Sequence, residues 1–360
     1  MCVLIAVNVF VGCEQPPSPV GAASQPVLDG EESPTEDDGV VLVASQGTEV
    51  EFVCTGTLVA PNLLLTARHC VSAFEDGSFA CTTEGELIST GTAGEMALLY
   101  DPSQVHVYVG ADALPGDEPA AIGQEIVALN TTTICRNDIA LVILDRSLDL
   151  PSFPLRLDAP TFPGELVRIV GYGGNDLRTT LRLSRSDVQV LEVGASEFRP
   201  EGGATPPRTF AIGQSACQGD SGGPALTDQN AIAGIFSVIQ GGDCRARDVR
   251  NVYTQVAPYE DLVREGFQRA GAEVWLEGEP APSAGGAGGA SASSVAGNGP
   301  RAGAETVGGE AERAGRTDDT GCKCAAAPRS PYPDAALLTQ LAVLATVCCR
   351  RRRRDRTSPT

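Results

Sequence analysis

Short apolar runs separated by turn-forming residues recur between Val40 and Phe267 and limit the folds open to this chain. Each run has the length of a β-strand and is bounded by Gly, Pro, Asp or Asn, a pattern typical of all-β barrels and sandwiches. The clearest runs are Val40–Val43, Thr57–Val59, Leu63–Leu65, Ile139–Leu144, Val167–Val170 and Ala231–Val238. One helix is predicted after Pro258, where apolar residues recur at helical spacing: Tyr259, Leu262, Val263 and Phe267. The sequence therefore predicts an all-β domain closed by a C-terminal helix.

The net charge and the number of histidines limit the partners and the reactions that this chain can support. The 360 residues carry a net charge of −20, and a polyanion would repel such a chain, so no nucleic-acid partner is expected. His69 and His106 are the two histidines. His106 alternates with apolar neighbours and is predicted to be an ordinary strand residue. No motif calls for a cofactor or a metal ion, and we predict neither.

Six of the twelve cysteines lie in the central region: Cys54, Cys70, Cys81, Cys135, Cys217 and Cys244. An even number within a compact region predicts three disulfides and an oxidising compartment. A zinc site is the alternative, but these six show no CxxC-type spacing with histidines nearby.

The two ends of the chain differ in composition from the centre. Residues 1–13 form a short apolar run that ends in Val11-Gly12-Cys13, which predicts a signal peptide. The ending resembles a bacterial lipobox, with Cys13 lipidated after cleavage, and a plain secretory signal is the alternative. Residues 14–39 are rich in Pro, Ser, Glu and Asp, and residues 14–26 are predicted to be a tether or propeptide.

The C-terminal part has the layout of an anchor. Residues 277–320, rich in Gly, Ala and Ser, are predicted to be a disordered linker. Residues 321–360 contain Cys322 and Cys324, an apolar run, and five arginines from Arg350 to Arg354. The order resembles the sorting tails of myxobacterial surface proteins and predicts retention at a membrane, with the arginines on the cytoplasmic side. A disordered basic tail is the alternative. The expected location is secreted, on a bacterial cell surface or at the outer membrane.

Three segments carry residues suited to nucleophilic catalysis. They read Leu-Leu-Leu-Thr-Ala-Arg-His-Cys over 63–70, Arg-Asn-Asp-Ile-Ala-Leu over 136–141 and Cys-Gln-Gly-Asp-Ser-Gly-Gly-Pro over 217–224. A serine hydroxyl needs a neutral imidazole to take its proton, and the imidazole needs an acceptor on its other nitrogen. His69, Asp138 and Ser221 supply these groups in one order along the chain. The amide groups of Gly219 and Ser221 are predicted to bind the developing oxyanion.

These motifs resemble the trypsin/chymotrypsin family of serine endopeptidases over roughly Val27 to Ala270. The resemblance implies two six-stranded β-barrels with the active site in the cleft between them, formed by a protease domain over 27–276. It implies protein or peptide substrates, and we expect a monomer. A catalytically silent surface-binding protein is the alternative from another class, although no member of the triad is lost.

The resemblance also implies disulfide pairs and supporting residues. It pairs Cys54 with Cys70 and Cys217 with Cys244, which leaves Cys81 and Cys135 as the third pair; spacing alone leaves fifteen pairings open. Ser237 matches the family serine that supports the triad aspartate and begins the strand that binds an extended substrate. Arg68 replaces the usual alanine before the histidine and is interpreted as a neutral variation pointing away from the triad.

The same resemblance places Ser215 at the base of the primary pocket, with Ile239 and Asn251 in its walls. Ser215 carries no charge and Ile239 narrows the pocket, so we predict cleavage after small aliphatic residues. Cleavage after Arg or Lys, driven by Asp243, is the alternative.

Family members are commonly activated by cleavage that frees an aliphatic N-terminus. Val27 is the best match for that residue, and its new amino group would pair with Asp220.

Overall fold

The computed structural model describes residues 27–46, 51–173, 180–198 and 203–282. The chain divides into two units, Met1–Gly289 and Ala290–Thr360. The predicted signal peptide, the tether, the anchor segment and all but the start of the linker lie outside the described residues. No helix among the described segments is long and apolar enough to cross a membrane.

Short strands dominate the described residues. They are β1 Glu31–Glu32, β2 Val40–Gln46, β3 Glu51–Ala60, β4 Leu63–Thr66, β5 Ser72–Phe74, β6 Phe79–Cys81, β7 Leu87–Ser89, β8 Met96–Leu99, β9 Val105–Tyr108, β10 Ala121–Ala128, β11 Ala140–Leu144, β12 Leu166–Gly171, β13 Leu183–Val193, β14 Ser196–Phe198, β15 Gly203–Thr205, β16 Thr209–Ile212, β17 Pro224–Leu226, β18 Ile232–Gln240 and β19 Arg250–Gln255. Helix α1 spans Glu260–Ala270, and single 3-10 turns span Thr35–Asp37, Arg68–Val71, Pro102–Gln104 and Ala257–Tyr259.

These strands form two closed antiparallel barrels. The first has the strand order β10-β11-β4-β3-β2-β9. The second has the order β13-β12-β17-β18-β19-β16 and is closed by pairing of β13 with β16, while β1 adds to the outer side of β13. The prediction of an all-β fold with two six-stranded barrels and a C-terminal helix is confirmed.

Helix α1 packs against the first barrel. Its apolar stripe buries Leu262, Val263 and Phe267, and this covers the outer side of β4 and β11. Because both faces of β11 are covered, all five of its residues are buried. Gly266 lets the helix approach closely, since a Cβ there would lie 2.8 Å from a methyl carbon of Leu141. The helix ends at Ala270 and is capped by Gly271, whose φ of 68° suits glycine.

Buried polar side chains connect the two barrels. Tyr172, at the end of β12, is fully buried; its backbone N–H donates to the hydroxyl of Thr55 at 3.0 Å. Its phenol group is within hydrogen-bond distance of the carbonyls of Val40 and Gly110 on the first barrel. These contacts fix how the end of β12, next to the functional site, sits against the first barrel.

Arg182 holds the segment that leads from Val27 into β2. Its guanidinium, 1% exposed, donates to the hydroxyl of Ser33, the carbonyls of Pro34 and Val40, and the Asp38 carboxylate. A buried cation with this many acceptors stabilises the fold only while all of them are present.

Replacing Arg182 with Met should therefore lower the free energy of unfolding by about 3 kcal/mol, because the Ser33 hydroxyl loses its partner in the interior and the Asp38 carboxylate loses its cation. Urea unfolding of the two proteins measures this loss. Arg146→Met is the matched control, since Arg146 is 59% exposed and pairs with neighbouring Asp145; its effect should stay within about 0.5 kcal/mol. Equal losses in both variants would contradict the structural role of Arg182.

Candidate functional site

His69 lies in the 3-10 turn that follows β4, at the edge of the first barrel. Its backbone N–H donates to Oδ1 of Asp138 at 2.9 Å, and its Nδ1 is 2.8 Å from Oδ2 of the same carboxylate. Two contacts to one carboxylate fix the ring's position and direct its Nδ1 side inward. The Nε2 side of the ring remains the one available for proton transfer.

Asp138 is buried between the barrels just before β11 and is 1% exposed. It accepts a third hydrogen bond, at 2.5 Å, from the hydroxyl of Ser237 on β18 of the second barrel. Burial alone would raise the pKa of the Asp138 carboxyl, but the His69 charge and the hydrogen bonds from His69 and Ser237 outweigh it and hold that pKa below its ordinary value. Asp138 is therefore a carboxylate at neutral pH.

Ser221 lies in a tight turn between Cys217 and β17 and is half-buried. Its carbonyl accepts from the N–H of Thr55 at 2.7 Å. The Cys70 sulfur, next to the histidine, lies 3.8 Å from Nε2 of His69 and 3.6 Å from the Ser221 carbonyl oxygen. The His69 ring and the Ser221 backbone therefore both lie next to the Cys70 sulfur.

Two glycines shape the turn around Ser221. Gly219 and Gly222 have φ angles of 94° and 82°, in the region that favours glycine. A Cβ on Gly222 would lie 2.2 Å from the Thr66 hydroxyl, so no side chain fits there. Among the described residues, the N–H groups of Gly219 and Ser221 have no protein acceptor, as donors reserved for an oxyanion require.

Thr55 is a part of the site that sequence reasoning missed. It lies on β3, is fully buried, and its hydroxyl donates to the Gly219 carbonyl at 3.0 Å while accepting from the N–H of Tyr172. The hydroxyl therefore holds the Gly219–Asp220 peptide plane in place from the first barrel. No sequence signal pointed to it, because its partners lie more than a hundred residues away.

Substituting Thr55 with Val should lower kcat by ten- to a hundredfold with little change in KM, because the Gly219 carbonyl loses a buried partner worth about 1–3 kcal/mol and the peptide plane can turn. Steady-state kinetics on one peptide amide gives both constants. Thr55→Ser, which keeps the hydroxyl, is the control and should retain most of kcat. A comparable loss in both variants, or a change confined to KM, would contradict this role.

The predicted pocket residues meet around one buried amide. Asn251 on β19 is fully buried, and its Oδ1 accepts from the N–H groups of Ser215 and Ala216 at 2.7 and 3.0 Å. Its Nδ2 donates back to the Ala216 carbonyl. Ile239 is half-buried on β18, directly opposite Asn251 in the register. The Asn251 side chain therefore occupies the space beside Ser215.

Asp220, just before the candidate nucleophile, accepts three backbone hydrogen bonds. They come from Cys217 at 2.8 Å, Gly173 at 2.7 Å and Val27 at 3.1 Å. Burial raises the pKa of Asp220 to about 6 despite these bonds. Val27 is 1% exposed and has a φ of 29°, which is strained for a β-branched residue.

Three disulfides surround the site, with the pairs Cys54–Cys70, Cys81–Cys135 and Cys217–Cys244. The Sγ atoms of Cys54 and Cys70 and a ring nitrogen of His69 come close together, but the two sulfurs are bonded to each other. Thiolate ligands for a metal are therefore not available there.

Arg68 departs from its predicted neutral role. It is 3% exposed, and one guanidinium nitrogen donates to the Ala97 carbonyl at 3.2 Å. Burial lowers the pKa of Arg68, and the Asp138 charge partly opposes this shift. Arg68 is thus a buried cation that connects the histidine turn to β8.

Comparison with known proteins identifies the class. A family model described as trypsin matches residues 28–263. Similar curated proteins include the cercarial protease of Schistosoma mansoni, 29% identical over 53% of this chain and 72% of the relative. A trypsin-like protease of Streptomyces glaucescens is 25% identical, with 71% and 87% covered, and chymotrypsin-C of Bos taurus is 26% identical, with 60% and 78% covered. The solved structure of a scabies mite inactivated protease paralogue is 18% identical, covers 67% of this chain and 99% of its own, and has a TM-score of 0.49.

The chain belongs to the trypsin family and is a trypsin-like serine endopeptidase.

Proposed function

We propose that this endopeptidase acts through Ser221 as nucleophile, His69 as general base and Asp138 as the group that orients the base. The observation that carries the proposal is the position of His69, whose Nδ1 side is fixed on a carboxylate that Ser237 also holds. A ring held in this way has one defined tautomer, with a proton on Nδ1 and a lone pair on Nε2.

In the proposed reaction the Ser221 hydroxyl oxygen attacks the peptide carbonyl carbon while its proton passes to Nε2 of His69. The carbonyl oxygen becomes an oxyanion that accepts from the N–H groups of Gly219 and Ser221. The C–N bond then breaks, and the leaving amine takes the proton from His69. Water hydrolyses the resulting ester on Ser221 by the same steps in reverse.

Ser221→Ala should reduce kcat roughly a millionfold, since residues of such a triad act as a unit. The measurement uses residues 14–276, produced with the disulfides formed, and a peptide library varied at the residue before the cut. His69→Ala is the parallel variant, and the exposed Ser103→Ala is the control that should keep full activity. Retained cleavage in Ser221→Ala would overturn the proposed nucleophile, and a wild-type chain that cleaves nothing even after treatment that frees Val27 would favour the silent binding protein.

For specificity we propose a preference for small aliphatic residues before the cut. The Asn251 amide beside Ser215 and the side chain of Ile239 both reduce the room in the pocket. Ile239→Gly should widen the accepted set towards Phe in the same library. Cleavage after Arg or Lys that disappears in Asp243→Asn would favour the alternative; Asp243 is exposed and accepts from the N–H of Arg245 in its own loop.

We also propose that cleavage before Val27 activates the enzyme. In the intact chain a neutral N–H faces the buried Asp220 carboxyl. Cleavage would convert this group into an ammonium, which stabilises the carboxylate at the same place. It would also remove the constraint on φ of Val27. The pair would then fix the turn that holds Gly219 and Ser221.

The pKa of Asp220 gives a test in the uncleaved chain. An unfolded aspartate titrates near 4 and the folded one near 6, so the folded state binds more protons between these values. The stability contributed by the protonated carboxyl is complete below about pH 4 and is lost as pH rises through about 6.

In the inactive Ser221→Ala background, the uncleaved chain should therefore lose unfolding free energy between pH 4 and 6 relative to the same chain with Asp220→Asn. Urea unfolding at several pH values measures the difference. After cleavage before Val27 the ammonium should abolish this loss, and N-terminal sequencing confirms the cut. Parallel pH profiles of the Asp and Asn chains would contradict the assignment.

The proposed location is outside the cytoplasm, with export directed by residues 1–13 and retention at the cell surface or outer membrane by Cys13 lipidation or by residues 321–360. The three disulfides support an oxidising compartment. Globomycin-sensitive processing and fractionation of cells that express the full chain would test lipid attachment, and deletion of 321–360 would test the anchor.

A further inference from the structure

A compact segment, residues 72–100, stands beside the site and has no role in the catalytic steps described above. It contains the small hairpin of β6 with β7 and, on either side of this hairpin in the chain, the antiparallel pair of β5 with β8. The Cys81–Cys135 disulfide attaches it to the loop between β10 and β11 that leads to Asp138. Arg68 and Arg136 donate to its carbonyls at Ala97 and Gly85, so it is fixed at several points.

Segment 72–100 also reaches the second barrel. The N–H of Cys81 donates to Oε1 of Gln240 on β18 at 3.3 Å, and Nε2 of Gln240 donates to the Ala204 carbonyl at 2.9 Å. Gln240 is only 2% exposed. A buried amide with both ends bonded joins segment 72–100, β18 and β15 into one wall.

Apolar packing fills the space between this segment and β18. Met96, Cys81, Ile134 and Cys135 form one buried cluster with Val238, and Met96 and Val238 are 2% and 6% exposed. Phe74 of the same segment lies against the His69 ring, with ring centroids 5.3 Å apart. The Val238 face of β18 next to the triad is therefore covered.

The edge of β18 beside this wall is open to a substrate strand. Pairing of β17 with β18 ends at Ile235, and two backbone hydrogen bonds join Phe236 to Gly222 and Gly223. Along 237–240, β18 pairs with β19 on its other edge alone among the described strands. An extended peptide can add to the free edge as another antiparallel strand.

The register of such a strand follows from the triad. The turn that holds Ser221 is bonded to Phe236 through the N–H of Gly222. A substrate residue whose carbonyl reaches Ser221 therefore lies beside the next residue of β18, Ser237, and earlier residues run along Val238, Ile239 and Gln240. Directly opposed residues on antiparallel strands point to the same face of a sheet. The second and fourth residues before the cut therefore point to the face that Val238 and Gln240 share, where segment 72–100 packs.

We propose that segment 72–100, through Met96 and the Cys81–Cys135 bridge, determines specificity on the N-terminal side of the cut. It admits only Gly or Ala as the second residue before the cut and leaves no binding site for the fourth side chain. The substrates are thus chains with a small residue at the second position before the cut as well as a small residue directly before the cut. This inference rests on the proposed function of the same site.

The test uses the active wild-type enzyme and peptides that keep the best residue before the cut. The second position carries Gly, Ala, Leu or Phe, and the fourth position carries Gly, Leu or Phe. The expected kcat/KM falls at least tenfold from Ala to Leu or Phe at the second position and changes less than threefold across the fourth. A preference for Leu or Phe at the second position, or a larger dependence on the fourth, would overturn the inference.

Two variants assign the effect to the segment. Met96→Ala should reduce about tenfold the ratio of kcat/KM for the peptide with Ala to that with Leu at the second position, because it empties space in the cluster that contains Val238. Leu98→Ala removes a side chain of similar size from the same strand but is 86% exposed, and it should leave the ratio unchanged. Equal ratios in both variants would overturn the role of Met96, and an unfolded Met96→Ala would leave the wild-type series to decide. Failure of every peptide to be cleaved would instead overturn the proposed function.

Discussion

The carboxylate of Asp138 joins the two halves of the molecule at one point. It belongs to the first barrel, it receives both hydrogen bonds of His69 from that barrel, and it receives the hydroxyl of Ser237 from the second. A buried charge is costly unless donors surround it. Three donors are placed here by strands that meet only if both barrels close and dock. The ionised state of Asp138 therefore depends on the complete fold, and the orientation of His69 depends on Asp138.

The turn around Ser221 is controlled from both barrels in a similar way. Thr55 on β3 donates its N–H to the Ser221 carbonyl and its hydroxyl to the Gly219 carbonyl. From the second barrel, Phe236 accepts the N–H of Gly222 at 2.8 Å. Asp220 then fastens the turn to Val27, whose amino group is created only by cleavage in the proposed activation. In the proposed activation, the positioning of the N–H groups of Gly219 and Ser221 would thus be coupled to a covalent change at a distant point of the sequence.

The sequence was informative where the chemistry requires particular residue types. It was uninformative where the role of a residue depends on which groups lie next to it in the folded chain. The motifs around His69, Asp138 and Ser221 predicted residues that the fold brings together, and strand-length apolar runs predicted an all-β domain. The hydroxyl of Thr55, the amide of Asn251 and the buried cation of Arg68 could not be assigned in the same way. Each depends on which backbone groups lie opposite it in the folded chain, and such pairs are separated by up to 164 residues.

Segment 72–100 shows how a common site can acquire its own selectivity without altered catalytic residues. The segment begins three residues after His69, and its disulfide links it to Cys135, three residues before Asp138. Its packing on Val238 and its contact with His69 are therefore made by the same rigid unit. Because the disulfide and the hydrogen bond to Gln240 hold this unit on both barrels, a bulky second residue cannot push it aside without disturbing the base. Selection against such a substrate then acts on kcat as well as on KM, since a displaced imidazole no longer receives the serine proton.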